Sequence, residues 1–223
     1  LARREKNSKK LGVGIIGSGS YAQNVLLPNL SSIKDFDFIG ICSNEGSIIN
    51  HIGRKYIFKY ITTKPQKIFQ DTEIDIIFVL TRHDSHSSLI NEALQNGKNV
   101  FTEKPLAITK HELKVVEDTY NLSNKILSIG FNRRFSQSII YSKKHLTNRE
   151  SPLYINYNIN SGKLSSSHWL QDPEIGGGRL VGEGCHFLDL CNFLVEDLPS
   201  DISVKYLDNN DLNPKDDSFV ISV

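Results

Sequence analysis

Leu11-Gly-Val-Gly-Ile-Ile-Gly17-Ser-Gly19-Ser-Tyr-Ala22 is the stretch of sequence that decides the fold. An apolar strand runs into the pattern G-x-G-x-x-A, and a helical segment follows directly. In that pattern the first glycine allows a tight turn, the second lets the backbone approach a pyrophosphate, and the small third residue packs the helix against the strand. A lone match would be an ordinary glycine turn, but the strand before it and the helix after it favour dinucleotide binding.

The same alternation of apolar strands and helical segments continues to about residue 131. We expect strands at 11–17, 36–42, 74–80, 99–102 and 126–130, separated by helices at 20–32, 48–56, 86–96 and 109–123. Thr109 and Glu112 have the spacing of a capping box at the start of the last helix. Parallel neighbours need crossover helices, so the pattern predicts an α/β fold with a Rossmann-type doubly wound parallel sheet.

The pattern changes after residue 131. We expect helices at 135–146 and 180–194, strands at 153–161, 202–207 and 219–223, and a loop at 165–178. This divides the chain into a basic linker (1–10), a dinucleotide-binding domain (11–131) and an α+β domain for substrate binding or oligomerisation (132–223). The chain begins with Leu1, contains no Met and ends within a predicted strand. We therefore expect it to be a piece of a longer polypeptide, with the second domain incomplete.

Composition excludes several classes of function. The chain has 223 residues, 39% of them hydrophobic, and a net charge of +1, so it offers no overall field for nucleic acid or an anionic membrane. It has no apolar run of the ~18–20 residues that a membrane span needs. Residues 1–10 are basic without an apolar stretch, so we do not expect them to be a signal peptide. The spacing of Cys42, Cys185 and Cys191 fits neither disulfides nor a zinc site. We expect a cytoplasmic protein without a metal.

The end of the second predicted strand bears on the choice of cofactor. An acid there holds the ribose hydroxyls of NAD. This chain has Ser43 at that position, followed by Asn44 and Glu45, and no Arg follows at once to bind a 2′-phosphate. NAD and NADP both stay open.

Five motifs in this order resemble the glucose–fructose oxidoreductase / inositol dehydrogenase (Gfo/Idh/MocA) family. They are G-x-G-x-x-A, Thr81-Arg-His-Asp-Ser-His86, Glu103-Lys-Pro105, Gly130-Phe-Asn-Arg-Arg-Phe135 and Gly176-Gly-Gly-Arg-Leu-Val-Gly-Glu-Gly-Cys-His-Phe-Leu-Asp189. Their variants are most similar to a subgroup in which such a module follows a zinc-type alcohol dehydrogenase-like module. The resemblance extends from Leu11 to the end of the chain.

This resemblance implies hydride transfer between nicotinamide and a carbinol carbon of a sugar, sugar derivative or polyol. It implies that Lys104 binds the reacting hydroxyl, that His186 accepts its proton, and that members often form dimers or tetramers. A histidine has a pKa near ~6.5, which suits this transfer at neutral pH. The residues expected at the cofactor are Gly17, Gly19, Ser20, Tyr21, Ala22, Ser43, Asn44, Thr81, Arg82, His83, His86, Glu103 and Lys104. For His86 the alternative is the first residue of a helix.

One position departs from the family pattern. Gly182 stands where the family has an aspartate, four residues before His186. Glu183 and Asp189 lie three residues on either side of His186, on neighbouring helix faces, and we favour Glu183 as a substitute acid. The alternative is that the site is weakened or redirected.

Besides His186, three further residues are candidates for substrate binding. Arg133 and Arg134, after Asn132, could bind a substrate anion, although interdomain salt bridges explain one of them equally well. Trp169, beside His168, could form one wall of a sugar site or belong to a small core. The leading hypothesis is an NAD(P)-dependent oxidoreductase. Its alternatives are a non-catalytic dinucleotide-binding module and an eliminating or glycoside-cleaving enzyme with tightly held NAD.

Overall fold

The computed structural model describes residues 10–44, 46–165, 167–207 and 218–223 and divides into two compact units, with the boundary between Ile129 and Gly130. Most of the basic linker and Glu45 therefore lie outside the described residues. No helix in the described part of the chain is both long and apolar enough to cross a membrane.

The first unit alternates strands with helices, as the sequence pattern predicts. Its strands are β1 (Leu11–Ile16), β2 (Phe36–Cys42), β3 (Tyr60–Thr62), β4 (Ile76–Val79), β5 (Asn99–Thr102) and β6 (Leu127–Ile129). Its helices are α1 (Leu27–Ser31), α2 (Gly46–Lys55), α3 (Pro65–Gln70), α4 (His86–Gln95) and α5 (Lys110–Ser123). The predicted capping box is present, because Thr109 and Glu112 each accept a backbone N–H of the other.

All six strands form one parallel sheet in the order β3-β2-β1-β4-β5-β6. The order reverses between β1 and β4, so the crossover helices cover both faces. Ligands of such sheets bind at the carboxyl ends of the strands beside this reversal. The prediction of a doubly wound parallel sheet is confirmed.

The two faces of the sheet bury separate apolar clusters. On one face Ile77 of β4 packs with residues of α3 and α4, and on the other Phe78 packs with residues of α1 and α2. Burial on both faces explains why β4 and its flanks are a continuous apolar run rather than an alternating one.

Three features of the first unit were not predicted. β3 has only three residues and α3 only six, too few for a periodic pattern to stand out. The helix that starts at Ser20 contains a π-helical turn, Ala22–Leu26, before α1 begins. Pro28 lies inside this continuous helix, two residues after the π-helical turn, and supplies no N–H there.

The second unit contains α6 (Gln137–Leu146), α7 (Cys185–Val195) and an antiparallel pair, β7 (Ser203–Tyr206) with β8 (Phe219–Ser222). The helix predicted from Leu180 begins as a π-helical turn, Leu180–Gly184. The strand predicted at 153–161 is wrong: these residues are exposed or half-buried and join no sheet within the described ranges. Their alternation lacks a partner strand, and a single strand has no backbone groups to pair with.

Candidate functional site

The glycine loop joins the carboxyl end of β1 to the helix at Ser20. Gly17 has φ of 108°, and its N–H donates to the carbonyl of Cys42 at 2.9 Å. A Cβ at Gly17 would overlap the backbone of Leu80, whereas a Cβ at Gly19 would meet no atom within 4 Å. Ala22 is buried against β1. The loop thus leaves open space above Gly19 in front of a helix N-terminus, which fits a pyrophosphate.

The carboxyl end of β2 lies beside this loop. The buried Ser18 donates its hydroxyl to Ser43 Oγ at 2.7 Å, so the two loops are hydrogen bonded to each other. Ser43 is half-buried and Asn44 is exposed. The sequence did not indicate that Ser43 forms this hydrogen bond. Ser18 was not predicted as a site residue because the G-x-G-x-x-A pattern is defined by its glycines and alanine, and Ser18 occupies a variable position of it.

The loop after β4 carries the next group of expected cofactor residues. Ser85 lies with its hydroxyl 2.6 Å from Thr81 Oγ1, Arg82 is exposed, and His83 is buried. His83 and His86 have ring centroids 5.7 Å apart. Of these four expected residues, Arg82 alone presents an exposed side chain.

The loop after β5 holds Lys104. Glu103 donates its N–H to Val79 at 3.1 Å, and the Lys104–Pro105 peptide is cis. Burial raises the pKa of the Glu103 carboxyl, while hydrogen bonds from the Lys104 backbone and the Tyr21 hydroxyl oppose that rise. The Tyr21–Glu103 bond joins the glycine-loop helix to the Lys104 loop.

One atom of this group supports the fit of a polar cofactor. Glu103 Oε1 is buried and has no hydrogen-bond partner among the described residues. A buried acceptor without a donor is costly, so a ligand that supplies a hydroxyl or amide N–H would be favoured beside it. Together with the open space above Gly19, the residues at this sheet edge fit a dinucleotide.

His86 lies at the centre of the same edge and is fully buried as the first residue of α4. Its Nδ1 is 2.7 Å from the Pro105 carbonyl oxygen and its Nε2 is 3.2 Å from that of Thr81. Burial lowers the pKa of His86; the two carbonyls and Asp84 partly oppose this, and Lys104 adds to it.

The lowered pKa of His86 predicts a pH dependence of stability. The neutral ring is favoured in the folded state, so the stabilisation is complete above about 6.5 and is lost as pH falls below that value. We expect His86→Gln to remove part of the acid-side slope, which for one proton is at most about 1.4 kcal/mol per pH unit. Urea unfolding from pH 7.5 to 5 measures it. His145→Gln, at an exposed histidine, is the control, and parallel curves for wild type and His86→Gln would contradict the assignment.

In the second unit, side chains of the segment that follows Gly130 contact side chains in the first half of α7. Phe131 lies edge-on to the ring of His186 with centroids 6.1 Å apart, and Arg133 stacks on Phe187 at 4.6 Å. Arg134 forms a two-pronged ion pair with Asp189, which is buried. Three residues of one short segment thus contact three residues of α7 in the same order along the chain.

These contacts redefine three expected site residues. Asp189 forms an ion pair with Arg134 of its own unit, so the guanidinium of Arg134 is engaged by a protein carboxylate. Glu183 lies 3.4 Å from Arg179 Nε, one turn back along the helix. The π-helical turn widens the spacing before α7, so the distance of three residues does not by itself place Glu183 on the His186 face.

The Arg134–Asp189 pair yields a stability prediction. Arg134→Gln removes the cation from a carboxylate whose side chain is 8% exposed, and we expect a loss of about 1–3 kcal/mol in the free energy of unfolding. Arg133→Gln, next to it, removes only a ring contact and should cost about 0.5–1 kcal/mol. Urea unfolding compares them; equal losses would show that the ion pair contributes nothing of its own.

The loop around Trp169 is organised by an aspartate that the sequence analysis did not single out. Asp172 Oδ1 accepts the N–H groups of Glu174 and Ile175, and its carbonyl accepts those of Gly176 and Gly177. His168 Nδ1 accepts the N–H of Leu170. Trp169 itself is half-buried. The loop itself was predicted, and its Asp-Pro pair four residues before a glycine run is a turn signal that could have identified the role of Asp172.

Among the described residues, no group of three or more His, Cys, Asp or Glu side chains could hold a metal ion.

Comparison with protein-family models matches both units. Residues 11–131 match the Gfo/Idh/MocA model described as "Oxidoreductase family, NAD-binding Rossmann fold", and residues 143–223 match "Oxidoreductase family, C-terminal alpha/beta domain". The chain is 25% identical over 192 residues to D-glucoside 3-dehydrogenase of Escherichia coli (strain K12), covering 84% of this chain and 55% of that protein. The chain spans little more than half the length of such curated relatives.

Two solved structures show the same fold. Aldose-aldose oxidoreductase from Caulobacter crescentus, complexed with glycerol, has a TM-score of 0.76 and 19% identity, over 90% of this chain and 62% of that one. Levoglucosan dehydrogenase, in complex with NADH and levoglucosan, has a TM-score of 0.73 and 21% identity, over 89% and 57%.

Proposed function

Since this chain belongs to the Gfo/Idh/MocA oxidoreductase family, we propose that it serves an NAD(P)-dependent oxidation or reduction of a sugar, sugar derivative or polyol. The observation that carries the proposal is the link between two loops at one sheet edge. The Tyr21 hydroxyl on the glycine-loop helix faces the carboxyl of Glu103, the neighbour of Lys104, and this contact supports a cofactor site beside a candidate catalytic cation. Relatives named for sugar substrates support the substrate class.

Each proposed residue has a separate task. Gly17, Gly19 and Ala22 would hold the pyrophosphate at the helix N-terminus, and the bound nicotinamide would supply the hydride acceptor or donor. Lys104 would bind the substrate hydroxyl and stabilise the negative charge that develops on its oxygen. His186 would accept the hydroxyl proton. Glu183, paired with Arg179, is left out of the proposal.

Gly182 favours one alternative function. This glycine is buried in the π-helical turn before α7 and offers no carboxylate at the position where the family pattern has one. A module that binds the dinucleotide without turnover would need no such acid. This alternative predicts that the chain binds the cofactor, and that the bound cofactor is neither oxidised nor reduced when candidate substrates are added.

Fluorescence titration with NADH and NADPH, followed by a panel of sugars and keto-sugars, tests the proposal on the natural protein that carries this chain. We expect saturable binding of at least one cofactor and turnover with some member of the panel. Lys104→Met should lower kcat by about 10²–10³-fold with unchanged cofactor affinity. The control is Lys110→Met, at an exposed lysine that begins α5. Tight binding without turnover would favour the non-catalytic module, and no binding would refute both.

A further inference from the structure

His86 connects two loops of the first unit through its ring. Its two nitrogens face the carbonyl oxygens of Pro105 and Thr81, at 2.7 and 3.2 Å. Thr81 follows β4 and Pro105 follows β5, which are neighbouring strands. A ring that is 0% exposed and lies against both carbonyls fixes the separation of the two loops.

The chemistry of the ring assigns the stronger of the two contacts. Carbonyl oxygens only accept, so His86 must donate, and a neutral imidazole has a single N–H. The shorter distance assigns that hydrogen to Nδ1, which then donates to Pro105. The titratable and charged groups around the ring are His83 and Asp84 on the same loop and Lys104 on the facing one.

Lys104 lies between two anchored residues. On one side Glu103 accepts from the Tyr21 hydroxyl, and on the other Pro105 accepts from His86. Its backbone is therefore held from the glycine-loop helix and from the start of α4.

We propose that His86 is a positioning residue that aims Lys104 at the substrate by holding the Pro105 carbonyl. This role rests on the proposed function of Lys104. It also departs from the expected contact between His86 and the cofactor, because both ring nitrogens already face protein carbonyls. Displacement of a reacting group by about 1 Å can cost on the order of 10²-fold in rate, so a lost anchor is enough to impair turnover.

A double-mutant cycle on kcat tests the coupling. His86→Phe fills the space but has no N–H donor, and we expect it to lower kcat by about 10–100-fold with the Kd for NADH within about threefold. In the Lys104→Met background the same change should lower kcat by less than about threefold, because the residue it positions is gone. His86→Gln keeps a donor and should recover part of the activity. His111→Phe, at an exposed histidine of α5, is the control.

The proposal is overturned if His86→Phe lowers kcat by the same factor in the wild type and in the Lys104→Met protein, because a merely structural role acts equally in both. A second readout needs no turnover: the rate at which acetic anhydride acetylates Lys104, measured by mass spectrometry relative to Lys110. We expect His86→Phe, or His86→Gln if the former fails to fold, to change that ratio by at least about threefold. An unchanged ratio refutes the positioning role. A changed ratio in a protein without turnover refutes only the proposed function.

Discussion

His186→Asn is expected to lower kcat by about 10²–10⁴-fold while the Kd for NADH stays within about twofold. His186 lies in the first turn of α7, and its proposed task is to accept the substrate proton. Asparagine is smaller than histidine but keeps a polar nitrogen near the position of Nδ1, and it cannot accept a proton at neutral pH. Steady-state kinetics and a fluorescence titration separate the two effects.

The control for this substitution is His145→Asn. His145 is exposed on α6 of the same unit, where its ring stacks on Tyr141. We expect its kcat to equal that of the wild type. A His186→Asn protein with a kcat within threefold of wild type would move the proton acceptor to another residue.

Gly17→Ala is expected to abolish measurable cofactor binding and to destabilise the first unit. Its φ of 108° is costly for a residue with a side chain, by about 1–3 kcal/mol, and the new methyl group would also overlap the backbone at Leu80. Relief of that overlap requires β1 and the end of β4 to separate, which displaces two of the loops at the cofactor edge. Thermal unfolding and NADH titration measure the two losses.

Gly19→Ala tests cofactor binding separately from the stability of the fold. A Cβ there meets no protein atom within 4 Å, so stability should stay within about 0.5 kcal/mol. The methyl group would occupy space that a pyrophosphate needs, and we expect affinity for NADH to fall at least tenfold. Wild-type affinity in Gly19→Ala would show that the dinucleotide does not lie over this glycine.

The fold was predictable where the signal is local. The run of β1, the glycine pattern and the capping box of Thr109 with Glu112 are each written within a dozen residues, and the structure contains all three. β3 was missed because three residues cannot show a period, and 153–161 was assigned to a strand because alternation does not reveal whether a partner strand exists.

The contacts within the candidate site were less predictable. Arg134 and Asp189 are 55 residues apart, and His86 and Pro105 are 19 apart. The sequence around each residue therefore does not indicate which distant residue it contacts. The position of Glu183 depended on an α-helical spacing that the π-helical turn replaces. Residue types thus indicated the chemistry, while tertiary contacts decided which groups remain available for it.

Because β1 lies in the middle of its sheet, it is synthesised before either of the strands that it pairs with. β1 leaves the ribosome before the other strands of its sheet, yet it pairs with both β2 and β4, and its Gly12 N–H also donates to Asp75. One edge of β1 therefore waits for some sixty residues of chain before Ile76–Val79 can cover it. Such non-local pairing is intrinsically slow and leaves apolar edges exposed in the meantime. A nascent chain that stops short of β4 has the glycine loop but not the sheet that gives the loop its shape.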